Sequence, residues 1–176
     1  MSSLPLGRPP RRCRARLLLG LLVLGLAGCG PREVTPLQRK QGASLASEAG
    51  FAVSIRDYPR AEGLYAQAVA ACPDTADYWL SLGTVRRKRN DRAGARTAYE
   101  QALTAARAHD RRDGADDQAL LPAFYALVLL DRADDARALL AQARREHPNN
   151  RMLRNLADQD EIGRLVADPG FRELAP

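Results

Sequence analysis

The feature that most constrains this sequence is an internal repeat of small and apolar residues. One triplet, with spacings of four and three residues, recurs 34 residues later and again after a further 41. The three copies are Ala61, Tyr65 and Ala68; Ala95, Tyr99 and Ala102; and Ala136, Leu140 and Ala143. These spacings place each triplet on one face of a helix. A period in this range is the signature of stacked helical units that bury a shared core.

A second apolar face precedes each triplet. These faces are Leu45 and Ala49; Trp79, Leu82 and Gly83; and Leu120, Ala123 and Phe124. Between the two faces, Asp57-Tyr58 and Asn90-Asp91 favour turns. Pro73 and Pro148 follow the second face and end a helix, because proline disfavours the helical conformation of the residue before it. Each unit is therefore predicted to be a helix–turn–helix.

The middle unit, residues 76–108, carries the most complete pattern. It reads Trp79-x-x-Leu82-Gly83 and continues with Ala95, Tyr99 and Ala102. This pattern resembles the tetratricopeptide repeat, and the resemblance covers residues 37–174. It implies an all-α fold, a short α–α superhelix of about three helical hairpins plus C-terminal capping helices. The composition agrees, since only 5% of the residues are aromatic and the abundant alanine has the highest helix propensity.

Two departures from a plain array are predicted. The third triplet comes seven residues later than the period requires, and the polar segment from Ala108 to Asp116 is predicted to hold this insertion. The tail from Arg151 to Pro176 is predicted to cap the array, because the last hairpin would otherwise expose an apolar face. The apolar residues available for this cap are Ile162, Leu165, Phe171 and Leu174.

The N-terminal segment has the zones of an export signal. Arginines between Arg8 and Arg16 precede a run of ten mostly apolar residues, Leu17 to Leu26. Ten residues span about 15 Å as a helix, against about 30 Å for a bilayer core, so the run predicts a signal rather than a membrane span. The residues that end it, Leu26-Ala27-Gly28-Cys29, resemble the lipobox of bacterial lipoproteins.

The lipobox resemblance implies a signal peptide at 1–28, a lipidated tether at 29–36 and a helical domain at 37–176. It implies diacylglycerol on the sulfur of Cys29 and a further acyl chain, such as palmitate, on the amine that cleavage exposes. Two or more chains give stable membrane anchoring. Gly30 follows the cysteine. By resemblance to lipoproteins, in which the residue at this position influences sorting, a glycine permits location at the outer membrane, facing the periplasm. An ordinary signal with an incidental cysteine is the alternative.

The charge of the chain and its cysteine content do not indicate a nucleic-acid partner or a disulfide framework. The net charge of +6 falls to +1 when the five arginines of residues 1–28 are removed, so the working chain gives no indication of nucleic-acid binding. The run Arg86-Arg87-Lys88-Arg89 is predicted to be a solvated helix end. Phosphate, acidic headgroups or an acidic peptide are alternative partners for it. Cys72 is predicted to be a small, partly buried residue at a helix end, with a reactive thiol as the alternative.

The sequence contains no recognisable catalytic or metal-binding motif. His109 and His147 belong to no HExxH pair and lie at no metal-ligand spacing from a cysteine. There is no Gly-x-Ser-x-Gly element and no phosphate-binding glycine loop. Residues 113–117 lack the alternating aspartates of a calcium loop. We therefore predict no catalytic residue, no metal and no cofactor, and a protein that is not an enzyme.

The resemblance to the tetratricopeptide repeat also implies where a partner binds. In that family ligands usually lie on the concave face, which the first helix of each unit lines. By resemblance, the partner-binding residues are Thr84, Arg87, Lys88, Gln118, Tyr125 and Val128, with Gly50, Val53 and Leu121 beside them. Tyr125 is the predicted anchor, because a tyrosine is amphipathic and stiff.

The predicted function is that of a membrane-anchored scaffold in the bacterial cell envelope. It would bind envelope proteins and recruit or stabilise an assembly or secretion partner. An accessory or enzymatic protein acting on envelope polymers is the alternative. A nucleic-acid binder acting through Arg86 to Arg92 is disfavoured by the predicted export, and strong salt-dependent DNA binding would be its sign.

Overall fold

The structure, a computed structural model, describes residues 33–113, 117–149, 153 and 161–176. These residues form α-helices and no strand. The helices with described bounds are α1 (Pro36–Ser54), α2 (Tyr58–Ala71), α3 (Ala76–Lys88), α4 (Arg92–Asp113), α5 (Asp117–Leu129), α6 (Ala133–Glu146), α7 (Glu161–Ala167) and α8 (Pro169–Arg172).

The helices pair in chain order into three hairpins. Helix α1 packs against α2, α3 against α4 and α5 against α6. Successive hairpins meet where α2 contacts α3 and α4 contacts α5, and the first helices of the second and third hairpins, α3 and α5, also lie against each other. The predicted all-α arrangement of about three helical hairpins with C-terminal helices is confirmed.

The turn inside each hairpin repeats the same backbone geometry. Arg56, Asn90 and Asp131 have φ values of 60°, 65° and 59°, and they are spaced like the sequence triplets. In each turn the next residue donates its N–H back to a carbonyl in the last turn of the preceding helix, as Asp57 does to Ala52 at 2.9 Å. This is a Schellman ending with a left-handed residue. The repeat is thus present in the backbone as well as in the sequence.

Helix ends follow local sequence signals. Thr35 and Gln38 form a reciprocal capping box at the start of α1, with Pro36 in the first turn. The residues before the two helix-ending prolines, Cys72 and His147, leave the helical conformation with ψ values of 75° and 65°. The predicted stops at Pro73 and Pro148 are therefore confirmed.

The predicted insertion lengthens a helix. Helix α4 has 22 residues, whereas α2 and α6 have 14 each. Helix α4 continues through Asp113, well into the polar segment where the seven extra residues were expected. Gly114 lies outside the described residues. The extra residues therefore extend the second hairpin.

The repeat residues make the core. The nine residues of the three triplets are all buried except Tyr65, which is partly buried. The largest cluster joins the second and third hairpins and includes Leu153 and Ile162, and Leu165, Phe171 and Leu174 pack against it. The four predicted cap residues therefore cover this core, Ile162 as a buried residue and the other three as partly buried ones. The first hairpin has smaller clusters and exposes Leu37 and Phe51 on α1 and Ile55 directly after it.

None of the helices in the described ranges is long and apolar enough to cross a membrane.

Candidate functional site

The predicted partner-binding residues lie on α3 and α5, the two first helices that pack side by side. Thr84, Arg87 and Lys88 are on the second half of α3, while Tyr125 and Val128 are on α5. Gln118 is in the first turn of α5, and its side chain lies outside the description. The part of this surface formed by Arg87, Lys88 and Tyr125, together with the hydroxyl of Tyr99 from α4, is called the docking surface below.

The docking surface is occupied by the chain itself. The closing segment, Asp168–Pro176, consists of α8 and the residues after it, and it runs across α3. Arg87 donates from Nε to the carbonyl of Ala175 at 2.5 Å. The ammonium of Lys88 lies 3.4 Å from the carboxylate of Glu173. Two side chains of α3 thus hold the closing segment, one through its main chain and one through a side chain.

Tyr99 supplies a third polar contact from beneath α3. Its hydroxyl donates to the carbonyl of Leu174 at 2.9 Å, although the residue has no exposed surface. Burial raises the pKa of Tyr99 to about 12, and a hydrogen bond with Thr84 and the charge of Arg87 lower it less. The phenol therefore stays protonated at neutral pH and remains a donor.

The role of the Tyr99 hydroxyl was missed by sequence reasoning, which treated the residue only as a packing element. A signal was present, because the ring of a buried tyrosine usually carries its hydroxyl to a hydrogen-bond partner. The hydrogen-bond partner could not be predicted from the sequence, since Leu174 lies 75 residues away along the chain.

Tyr125 makes the aromatic part of the surface. Its ring centroid lies 6.3 Å from that of Phe171 in the closing segment, with the planes tilted by 46°. It also meets Phe124 edge-on at 5.4 Å. Such separations are within the range of favourable aromatic pairs. The predicted anchor therefore contacts an aromatic side chain of its own chain.

Two of the predicted contacts need correction or restriction. Val128 is only 6% exposed and belongs to the main core, so its assignment to the partner surface was wrong. It faces inward because α5 is covered by neighbouring helices on most of its surface. The hydroxyl of Thr84 donates to the carbonyl of Leu80 at 3.0 Å within α3, so this residue is partly engaged by its own helix.

The basic run at the end of α3 is divided between two partners. Arg86 lies 3.1 Å from Glu62 of α2, and Arg89 contacts the same carboxylate. Arg87 and Lys88 point to the closing segment instead. The run ends α3 as predicted, with Lys88 and Arg89 exposed and the other two residues partly buried. Its members have different partners because successive helical residues face different neighbours.

The remaining described candidates bear on a metal site and on a reactive thiol. Among the described residues, no group of three or more His, Cys, Asp or Glu side chains is arranged to hold a metal. Cys72 is buried at the end of α2, where its thiol donates to the carbonyl of Gln38 at 3.2 Å. Burial raises the pKa of this thiol, and the charge of Asp74 adds to that effect. The predicted position at a helix end is confirmed, and the residue is fully rather than partly buried.

The docking surface consists of a guanidinium, an ammonium, a phenol and an aromatic ring, which together can hold a peptide. No known protein family matches the chain, and no curated protein matches it. The tetratricopeptide and lipoprotein assignments therefore stay predictions. Cys29 and the side chains of His109 and Gln118 lie outside the described part of the chain.

Proposed function

We propose that this protein is a membrane-anchored scaffold of the bacterial cell envelope, which binds a partner protein on its docking surface and recruits or stabilises it for assembly or secretion. One observation carries the proposal. The docking surface already holds a peptide segment, by the main-chain carbonyls of Leu174 and Ala175 and by the side chains of Phe171 and Glu173.

The type of contact supports protein binding. Carbonyl groups are present in every peptide, so the donors of Arg87 and Tyr99 suit a polypeptide ligand of many sequences. The Tyr125 ring and the Lys88 ammonium add selection for an aromatic and an acidic side chain. Tyrosine and arginine are the residue types most often found where protein interfaces concentrate their binding energy.

The proposed lipid anchor on Cys29 is supported by the sequence alone. Six residues, 30–35, separate Cys29 from the first residue of α1, Pro36. An extended chain of that length reaches about 20 Å. A lipid on Cys29 would therefore hold the helical domain close to the bilayer surface, where envelope proteins are within reach.

Site-specific photo-crosslinking in cells tests the partner surface. A photoreactive residue would replace Lys88, which is exposed, or Tyr125, and the captured peptides would be identified by mass spectrometry. We expect one dominant envelope protein from both positions, in addition to crosslinks within the closing segment. Position 63, on the exposed face of α2, is the matched control and should capture little of that protein.

Capture of the same protein from all three positions, or of none from positions 88 and 125 in an intact membrane-bound chain, would contradict the docking surface. Such a result would place the binding site elsewhere on the domain.

Metabolic labelling with palmitate tests the lipid anchor on Cys29. We expect the chain to incorporate label and to sediment with outer-membrane vesicles, and Cys29→Ser to lose both properties. Cys72→Ser is the control, because this buried thiol is distant in sequence from the cleavage site and should leave labelling unchanged. Label that persists in Cys29→Ser would show that the cysteine is not the acylated residue.

A further inference from the structure

The residues proposed to bind a partner are the same residues that hold the closing segment. We propose that the closing segment is an autoinhibitory internal ligand, which a partner displaces by offering an aromatic residue, an acidic residue two positions later and main-chain carbonyls beyond it. The inference rests on the proposed function, because it requires that the docking surface serve a partner.

The closing segment is held in a way that permits exchange. No residue of α8 is buried, and the Glu173 side chain is 71% exposed where it meets Lys88. Helix α8 has four residues, too few to be stable without the surface beneath it. Segments with few buried contacts open at low free-energy cost compared with the whole domain. The closing segment can therefore leave while the hairpins stay folded.

Tyr99 makes the exchange selective for polypeptide. When the closing segment leaves, the Tyr99 hydroxyl loses the carbonyl of Leu174 as a partner. A ligand with a carbonyl at that position restores the hydrogen bond, whereas an apolar ligand leaves the hydroxyl unsatisfied at a cost. The docking surface therefore favours a peptide main chain over other ligands.

Side chains of the closing segment define the rest of the motif. Phe171 contacts the Tyr125 ring, and Glu173 lies near the ammonium of Lys88. The carbonyls of the next two residues, Leu174 and Ala175, accept hydrogen bonds from Tyr99 and Arg87. The spacing of these contacts along the closing segment is the pattern that a competing segment must reproduce.

Competition between the tethered and an added segment tests the inference. The probe is a fluorescent peptide with the sequence of residues 168–176 and an amidated end, and the protein is the full chain in detergent. The release variant, Phe171→Ala/Glu173→Gln, weakens the internal segment by removing its ring and its charge. We expect it to bind the probe at least about tenfold more tightly than the unchanged chain, which must first displace its own segment.

Reversing the charge at Lys88 and at the matching acidic residue of the probe tests whether the probe binds at the docking surface. Lys88→Glu, added to the release variant, should weaken probe binding about tenfold, and a probe carrying Lys in place of the residue matching Glu173 should recover most of the loss. Arg60→Glu is the matched control, because it reverses an exposed cation in the first hairpin. It should leave probe binding unchanged.

Equal probe binding by the unchanged chain and the release variant would overturn the inference, as would Lys88→Glu without effect on affinity. If circular dichroism shows that the release variant has lost helix, Glu173→Gln alone is used, since it alters only an exposed pair. The proposed function can be judged separately, because partner capture by crosslinking does not depend on the probe. If the probe experiment fails but crosslinking captures a partner, the proposed scaffold function stands and the inference of an internal ligand is overturned.

Discussion

Gly83 on α3 faces the ring of Tyr99 on α4 so closely that a Cβ at position 83 would lie 2.4 Å from Cε1 of the ring. The absence of that Cβ lets Tyr99 pass beneath α3. Its hydroxyl then reaches the closing segment at Leu174. One contact between repeat positions therefore both packs the second hairpin and places a donor on the docking surface.

Alanine at position 83 should destabilise the domain. The added methyl collides with a fully buried ring that has no room to move, and overpacking of this kind costs about 1–3 kcal/mol of unfolding free energy. Gly63→Ala is the matched control, because a Cβ there meets nothing within 4 Å and alanine favours a helix interior by about 1 kcal/mol. Urea unfolding followed by circular dichroism should give opposite signs for the two substitutions. Equal stability of Gly83→Ala and the unchanged chain would refute the close approach.

Gly42 and Cys72 should show coupled effects on stability. A Cβ at position 42 would lie 2.7 Å from the Cys72 sulfur, which the carbonyl of Gln38 holds in place. Gly42→Ala alone should therefore lower the free energy of unfolding by about 1 kcal/mol. In the double variant with Cys72→Ala the sulfur is absent, so the loss should be smaller than the sum of the single effects by about 1 kcal/mol. Additive effects in urea unfolding would argue against the contact.

Tyr99 should make stability depend on alkaline pH. Its pKa is about 12 in the folded chain, above the ordinary value of 10.0, so its contribution is complete below pH 10 and disappears as the pH rises through 12. The free energy of unfolding should fall by up to about 2 kcal/mol more in the unchanged chain than in Tyr99→Phe over this interval. Near neutral pH, Tyr99→Phe should cost about 1 kcal/mol, the usual net value of a lost hydrogen bond. Parallel pH profiles for the two chains would contradict the assignment.

Glu62 should contribute more to stability than an exposed acid in a similar pair. Its side chain is 19% exposed and serves both Arg86 and Arg89. Glu62→Gln should cost about 1 kcal/mol, because it leaves two cations without the carboxylate they share. Glu48→Gln is the control, since Glu48 is 48% exposed and pairs with Arg60 alone, and its effect should be below about 0.5 kcal/mol. In thermal unfolding, the effect of Glu62→Gln should largely persist at high salt, because partly buried pairs are screened less than exposed ones.

Features that depend on local chain chemistry were predicted correctly. The stops before Pro73 and Pro148 each involve residues within one helical turn of one another. The turn near Asn90 also follows from nearby residues, although its repeated left-handed geometry became apparent only in the backbone.

Features that depend on neighbours distant in sequence were predicted less well. Val128 was placed on the surface because its helix position fits a concave face, yet the packing around α5 buries it. Lys88 and Arg89 were treated alike as members of one basic run. They differ because one faces the closing segment and the other faces α2.

Local patterns in the sequence predicted the helical units, their number and their ends, because a helix is built from interactions a few residues apart and the repeat period counts the units directly. The position of the closing segment on the docking surface followed instead from tertiary packing. The contacts that place it there join Tyr99, Arg87 and Lys88 to residues 75, 88 and 85 positions away. No local pattern encodes such a contact, because it depends on how the intervening helices pack and where they return the chain.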